Sequence, residues 1–252
     1  MGGCPIPTST FTPFESRHIR SEKGRTSRRI LLAKKARMTR ILYIKCSPRT
    51  GEHSASHRVA TAYIDAARKS GHVETEFLDI WDTVLPQFDG HALEAKYVGL
   101  AGGKLSPRQS AAWQEIEELG RRLRDADQLL FSVPMWNFSI PYRMKHLIDL
   151  VTQKDVTFRF SDGAFSGLLK KQTAILICAR GLGYGHDGLS ENLYDYQESY
   201  LRSWLRFIGV EDIRTIKVEK TLMGQSESDN AIANGIEQAV ALATSTTSGR
   251  SL

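Results

Sequence analysis

Apolar residues along this chain fall into two alternating patterns. In the first they form short, largely continuous runs, Ile41–Cys46, Gln128–Val133 and Thr173–Ala179, with two more polar segments of similar length, Val73–Leu78 and Arg214–Val218. Runs of that length, rich in Ile, Val and Leu, read as strands of a largely buried sheet. In the second, apolar residues return every three or four positions, as one face of a helix requires. Such segments run from about Ser54 to Ser70 and through Ala112, Ile116, Leu119 and Leu123. Others run through Met144, Leu147, Ile148 and Val151, through Leu201, Trp204, Leu205 and Ile208, and over about Asp229–Ala243. Ser106-Pro107 marks a helix start, an N-cap followed by proline at the first helical position, and Pro141 opens another helix. Residues 79–90, Pro134–Phe138 and 180–188 read as loops. Residues 91–105, rich in Gly and Ala without a clear period, read as a long loop holding at most a short helical turn. Strand and helix patterns alternate without an internal repeat, which predicts an α/β fold: a five-stranded parallel sheet, flavodoxin-like, with helices on both faces.

The chain has 252 residues, 41% hydrophobic and 25% charged, the composition of an ordinary globular protein. Its net charge of +6 first suggests a polyanion partner. The distribution removes that suggestion, because residues 1–37 hold nine Lys/Arg against two Asp/Glu, leaving 25 against 26 in the remainder. The body therefore has no general attraction for nucleic acid. Residues 1–37 form a basic leader with little apolar periodicity, expected to be disordered, and residues 38–252 a single domain. The leader lacks the apolar core of a secretory signal, and Ile6 stands where myristoylation wants Ser or Thr. An organelle transit peptide and an extension upstream of a natural start at Met38 both fit it. Met38 directly precedes the first strand, which favours the second. Cys4, Cys46 and Cys178 are odd in number and contain no CxxC pair. They argue against a disulfide framework or a zinc site and fit a reducing compartment, the cytoplasm. No apolar run approaches the ~20 residues of a membrane-spanning helix.

In an open parallel sheet ligands bind beyond the carboxyl ends of the strands, where strand order reverses. Three loops lead there. Ser47-Pro48-Arg49 through Ser54-Ala55-Ser56 joins the first strand to a helix N-terminus, whose free N–H groups and dipole suit phosphate. Arg49 adds charge and the serines add hydroxyls, though Ser54 is equally suited to being an N-cap alone. Pro134-Met135-Trp136-Asn137-Phe138 places apolar and aromatic residues at a strand end, where they can flank a flat heterocycle or simply pack between sheet and helix. Arg180-Gly181-Leu182-Gly183-Tyr184 combines mobile backbone with one aromatic ring. There is no GxxxxGKS, and the third loop is not a GxGxxG.

Together these loops resemble the FMN-dependent NADH:quinone oxidoreductase and azoreductase family. The resemblance covers about residues 38–243. It is carried by Ser47-Pro-Arg with Ser54-Ala-Ser56, by Pro134-Met-Trp-Asn-Phe138, by Val156-Thr-Phe-Arg-Phe160 and by Phe207-Ile-Gly209. It implies that Ser47, Arg49, Ser54, Ala55 and Ser56 bind FMN phosphate, and that Pro134, Met135, Trp136, Asn137 and Phe138 line the flavin ring. It further implies that Arg180 and Gly181 lie on the loop that closes over the flavin. It also implies a homodimer whose acceptor pocket is shaped by Phe160, Tyr184 and Phe207, with NADH or NADPH as donor, a quinone or azo compound as acceptor, and a ping-pong cycle. No acid–base residue is nominated, since the flavin carries the hydride; Tyr184 and His186 are candidates for proton donation or stacking. The third loop departs from the family's frequent Ser-Arg-Gly-Gly, reading Ala179-Arg-Gly-Leu-Gly183, which touches the flavin-ring contacts. Two other functions share the cofactor: an electron carrier of the flavodoxin type, usually strongly acidic as this body is not, and a flavin-binding redox sensor.

Overall fold

The computed structural model describes residues 38–185 and 188–248. The expectations placed on residues 1–37 and on His186 lie outside these. The first half of the chain forms β1 (Thr39–Lys45), α1 (Ala55–Ser70), β2 (Val73–Asp79), α2 (Gly90–Leu100), α3 (Pro107–Asp125), β3 (Gln128–Pro134) and α4 (Tyr142–Val151). The second half adds β4 (Phe158–Ser161), β5 (Ala164–Gly167), β6 (Thr173–Ala179), α5 (Glu191–Tyr194), α6 (Glu198–Phe207), β7 (Asp212–Val218) and α7 (Gln225–Ser248). Five strands pair in parallel in the order β2-β1-β3-β6-β7, while β4 and β5 make a separate antiparallel hairpin.

Alternation along the strands divides the core into two layers. Ile41, Tyr43, Leu130, Ile175 and Ile177 pack with Val59, Ala60 and Tyr63 of α1 and Ala239 of α7. Leu42, Ile44, Leu129, Phe131 and Leu176 pack against Ile116 of α3, Leu147 of α4 and Leu205 of α6. Each such aliphatic side chain, taken fully from water, contributes about 1.5–3 kcal/mol. Polar signals set the element boundaries. Ser106 and Gln109 form a reciprocal capping box at the start of α3, which holds two otherwise unsatisfied N–H groups.

The structure corrects the reading of residues 91–105 as loop. Asp89 caps α2 by accepting from the N–H groups of His91 and Ala92. Only Ala92 and Ala95 of α2 are buried, and two alanines leave little apolar rhythm to read. The β4–β5 hairpin was likewise not read as strands, because each has four residues and is largely exposed. It docks by backbone contact. A Cβ on Gly167 would stand 2.1 Å from the nitrogen of Gly209 and the carbonyl carbon of Ile208, and Gly209 itself has φ +107°. Gly167→Ala is expected to lose about 1–3 kcal/mol through overpacking, read as a lower urea midpoint at an unchanged slope.

Candidate functional site

Strand β1 is followed in the chain by β2 on one side, and β3 by β6 on the other. The order reverses between β1 and β3, and in open sheets of this kind ligands bind beyond the carboxyl ends of the strands at that point. The loops after both strands leave from that point.

At the end of β1, Ser47, Ser54 and Ser56 are all buried while Arg49 is exposed. The Ser47 hydroxyl accepts from the Arg49 N–H at 3.2 Å. Ser54 caps α1, accepting from the His57 N–H at 3.4 Å. Ser56 differs, because its hydroxyl is buried and has no hydrogen-bond partner. Such a group costs about 1–3 kcal/mol when left unmade. It sits in the first turn of α1, where the N–H groups of Ala55 and Ser56 have no acceptor within the helix. An orphaned hydroxyl beside open N–H groups and a positive dipole end is a cradle suited to an anion of phosphate type.

Beneath that turn lies a polar cluster the sequence reading passed over. The Tyr43 hydroxyl is 2.6 Å from Nδ1 of His57 and 2.9 Å from Oγ of Ser132. Lys45 pairs with Asp79 at 2.5 Å, both nearly buried. Burial, and then the Lys45 charge, holds the His57 imidazole below its ordinary range. The unfolded chain therefore takes up this proton at higher pH than the folded one. The stability tied to the neutral ring is present above the unfolded value of about 6.5 and lost as pH falls through the lowered folded value. His57→Gln is expected to flatten the fall in melting temperature across that acid window, as measured by thermal melts in a pH series.

The loop after β3 is anchored at its base by the Met135 N–H, which donates to the carbonyl of Ala179 at 2.8 Å. Trp136 and Ser139 exchange backbone bonds at 2.9 and 3.0 Å, and between them Asn137 and Phe138 have φ of 46° and 69°. Two consecutive left-handed residues make a tight turn of the mirror type. For a residue with a side chain like that of Phe138, this conformation costs roughly 1–2 kcal/mol. The surroundings hold it in place. The Tyr196 N–H donates to the Phe138 carbonyl at 2.9 Å, and the Tyr194 ring lies 5.2 Å from that of Phe138. Trp136 packs against Trp81 at 5.5 Å and Tyr142 at 6.4 Å. Trp136 and Phe138 remain 37% and 43% exposed. Each is thus packed on one side and open on the other, so the two readings of this loop, packing and ligand flank, are both compatible with its geometry.

In the loop after β6 the Arg180 side chain turns inward. Its guanidinium reaches Asp195 at 2.6 Å, Glu219 at 3.0 Å and the amide oxygen of Gln197 at 3.2 Å. Burial opposes its charge, but Asp195 and Glu219 outweigh it and keep the group firmly protonated. Gln197 then donates to the Val133 carbonyl at 2.9 Å, so Arg180 is joined through Gln197 to the end of β3. Gly181 lies where a Cβ would stand 2.6 Å from Leu222. The Tyr184 hydroxyl donates to the Met135 sulfur at 2.9 Å, and its ring lies under the Arg180 guanidinium at 4.9 Å. Tyr184 therefore joins the second and third loops.

Phe160 and Phe207 belong to a different cluster, centred on the hairpin, in which Phe165 lies 4.7 Å from Phe160 and 5.7 Å from Phe207. Among the described residues no ring contact joins this cluster to Trp136 or Phe138. Sequence reasoning missed Trp81, Tyr43, Ser132 and the Asp195–Gln197 segment. Trp81 at least carried a signal, as a lone tryptophan directly after a strand end.

A parallel sheet in the order β2-β1-β3-β6-β7 with helices on both faces defines a flavodoxin-like protein. The family model described as Flavodoxin-like fold matches residues 39–243. FMN-dependent NADH:quinone oxidoreductase 9 of Burkholderia lata is 49% identical over 191 residues, 74% of this chain and 90% of that protein. A Pseudomonas syringae pv. tomato protein, FMN-dependent NADH:quinone oxidoreductase 2, is 42% identical over 205 residues, 81% and 97% of the two chains. The chain belongs to the FMN-dependent NADH:quinone oxidoreductase family. Among solved structures, an azoreductase from Bacillus anthracis superposes with a TM-score of 0.75 at 22% identity, over 82% of this chain and all of that one. At that identity the match speaks for the fold. Among the described residues no helix is long and apolar enough to cross a membrane.

Proposed function

We propose that this chain is an FMN-dependent oxidoreductase that passes two electrons from NADH or NADPH to quinones or azo compounds in a ping-pong cycle. One observation carries this reading: in a member of this family, the Ser56 hydroxyl is buried and unpartnered in the first turn of α1. A phosphate there would take up that hydroxyl and the open N–H groups together. Ser47, Arg49, Ser54, Ala55 and Ser56 would hold the FMN phosphate. Pro134, Met135, Trp136, Asn137 and Phe138 would line its ring, with Arg180 and Gly181 on the loop beside it. Bound FMN supplies the hydride and two-electron chemistry. The chain's own tasks are to orient the ring and to exclude water. The Trp136 and Phe138 rings offer apolar faces for both, and the Tyr184 hydroxyl, tied to Met135, fixes the distance between two of the loops.

Relatives named for NADH and quinone support the donor and acceptor classes. Azo compounds make the same demand, a flat conjugated acceptor laid against the flavin. We place two chains in a homodimer. Phe160 and Phe165, 46% and 61% exposed on the hairpin, supply an apolar patch suited to a second copy, and Phe160 and Phe207 would then shape the acceptor pocket. Cys46 and Cys178 are buried free thiols, which suits the cytoplasm. Initial rates at several fixed quinone concentrations test the cycle. Parallel double-reciprocal lines are expected, and intersecting lines would show that donor and acceptor are bound together. Sedimentation equilibrium at the same protein concentration is expected to return twice the chain mass.

A further inference from the structure

The geometry points to Trp81 as the positioning residue that ties the anion-binding loop to the aromatic loop and so fixes how Trp136 faces a bound flavin. This rests on the flavin reading above. Trp81 follows β2, and its indole N–H donates at 3.0 Å to the carbonyl of Cys46, the residue immediately before Ser47. Its backbone N–H donates to Asp79 at 2.9 Å, and the same carboxylate holds Lys45. The Arg143 guanidinium lies 6.0 Å from the Trp81 ring and is itself fixed by the carbonyls of Ile80 and Thr83, each at 2.8 Å. Both N–H groups of Trp81 are thus anchored. Its ring meets Trp136 at 5.5 Å and takes the edge of Tyr142 at 5.3 Å and 83°.

Trp136 needs that support. Its ring is oriented by packing against Trp81 and Tyr142. The turn that follows holds two left-handed residues, a conformation that persists only when neighbours impose it. Trp81 is both bonded to the residue before the first loop and tilted against the ring of the second, which makes the spacing of the two loops depend on it.

The test compares wild type, Trp81→Phe, Trp81→Leu, Trp136→Phe and Trp81→Phe/Trp136→Phe, each loaded with FMN. Trp81→Phe keeps a ring against Trp136 and loses the N–H; Trp81→Leu loses both. FMN uptake is expected in all of them. Fluorescence of the bound flavin is expected to rise, and quinone KM to rise roughly two- to tenfold in Trp81→Phe and further in Trp81→Leu, with kcat changed less. In the Trp136→Phe background the effect of Trp81→Phe is expected to shrink, because coupled neighbours are not additive. Wild-type uptake of FMN with unaltered fluorescence and KM in Trp81→Phe and Trp81→Leu overturns this inference alone. So does a lowered melting temperature accompanied by wild-type fluorescence and KM, which would leave Trp81 a structural role only. A wild-type chain that takes up no FMN overturns the flavin reading and this inference with it.

Discussion

Ser56→Ala is expected to weaken FMN binding by roughly ten- to a hundredfold while leaving the FMN-free protein as stable as before, or more so. The two effects have opposite signs for one reason. In the free protein the Ser56 hydroxyl is buried without a partner, so deleting it removes a cost of about 1–3 kcal/mol that folding otherwise bears. With a phosphate in place the same hydroxyl makes a bond to a charged group, worth about 1.5–3 kcal/mol. Ser54→Ala should behave differently. Ser54 caps α1, so its loss costs about 1 kcal/mol of folding stability as well as weakening the ligand site. Melting curves with and without FMN separate the two, since a ligand at about a hundred times its Kd adds about 2.7 kcal/mol to the folded state. Ser56→Ala protein should melt normally without FMN and gain less when FMN is added. An unchanged FMN affinity in Ser56→Ala would remove the phosphate from this loop.

The largest loss of stability is expected at Arg180. Its guanidinium is buried and bonded at once to Asp195, Glu219 and Gln197. Arg180→Met would remove the cation shared by Asp195, Glu219 and, at 3.8 Å, Glu198 in a poorly solvated place. Breaking a buried ion pair from one side costs about 3–5 kcal/mol. Arg180→Lys restores the charge but not the planar fork that reaches three partners, and is expected to recover only part of the loss. Gln197→Met cuts the same network at the link between Arg180 and the Val133 carbonyl. It should cost about 1–3 kcal/mol, the value of a buried group left unpaired, and loosen the turn at Trp136–Ser139. Urea unfolding monitored by tryptophan fluorescence measures all three. Wild-type midpoints for Arg180→Met would mean that the two loops are held by something other than this network.

Much of the fold was readable in the chain because the central strands are apolar almost throughout. β1, β3 and β6 bury nearly every residue, so their runs stand out without help from context. The start of α3 was equally legible, since Ser106 and Pro107 signal it chemically. Elements whose stability comes from tertiary contact were not. α2 shows two buried alanines, and the hairpin is fixed by Gly167 lying on the backbone of Gly209, a contact that no local pattern encodes. The site divides in the same way. Its three loops followed from their places at strand ends. The direction of each side chain did not, because that depends on what stands opposite. Arg180 sits in the loop after β6 yet points into the protein, drawn by acidic residues 15 and 39 positions away. Trp81, in a segment without periodicity, turns out to be bonded to Cys46, 35 positions earlier. Asn137 is a residue such mirror-type turns favour, but left-handed Phe138 stands where they usually use glycine, which hides the turn.

The most direct test of the proposed chemistry is an anaerobic titration of the FMN-loaded protein with NADH, followed in the visible flavin band. The band is expected to bleach on adding NADH and to return on adding a quinone. A protein that takes up no FMN, or whose bound FMN stays yellow under excess NADH and NADPH, would contradict the assignment.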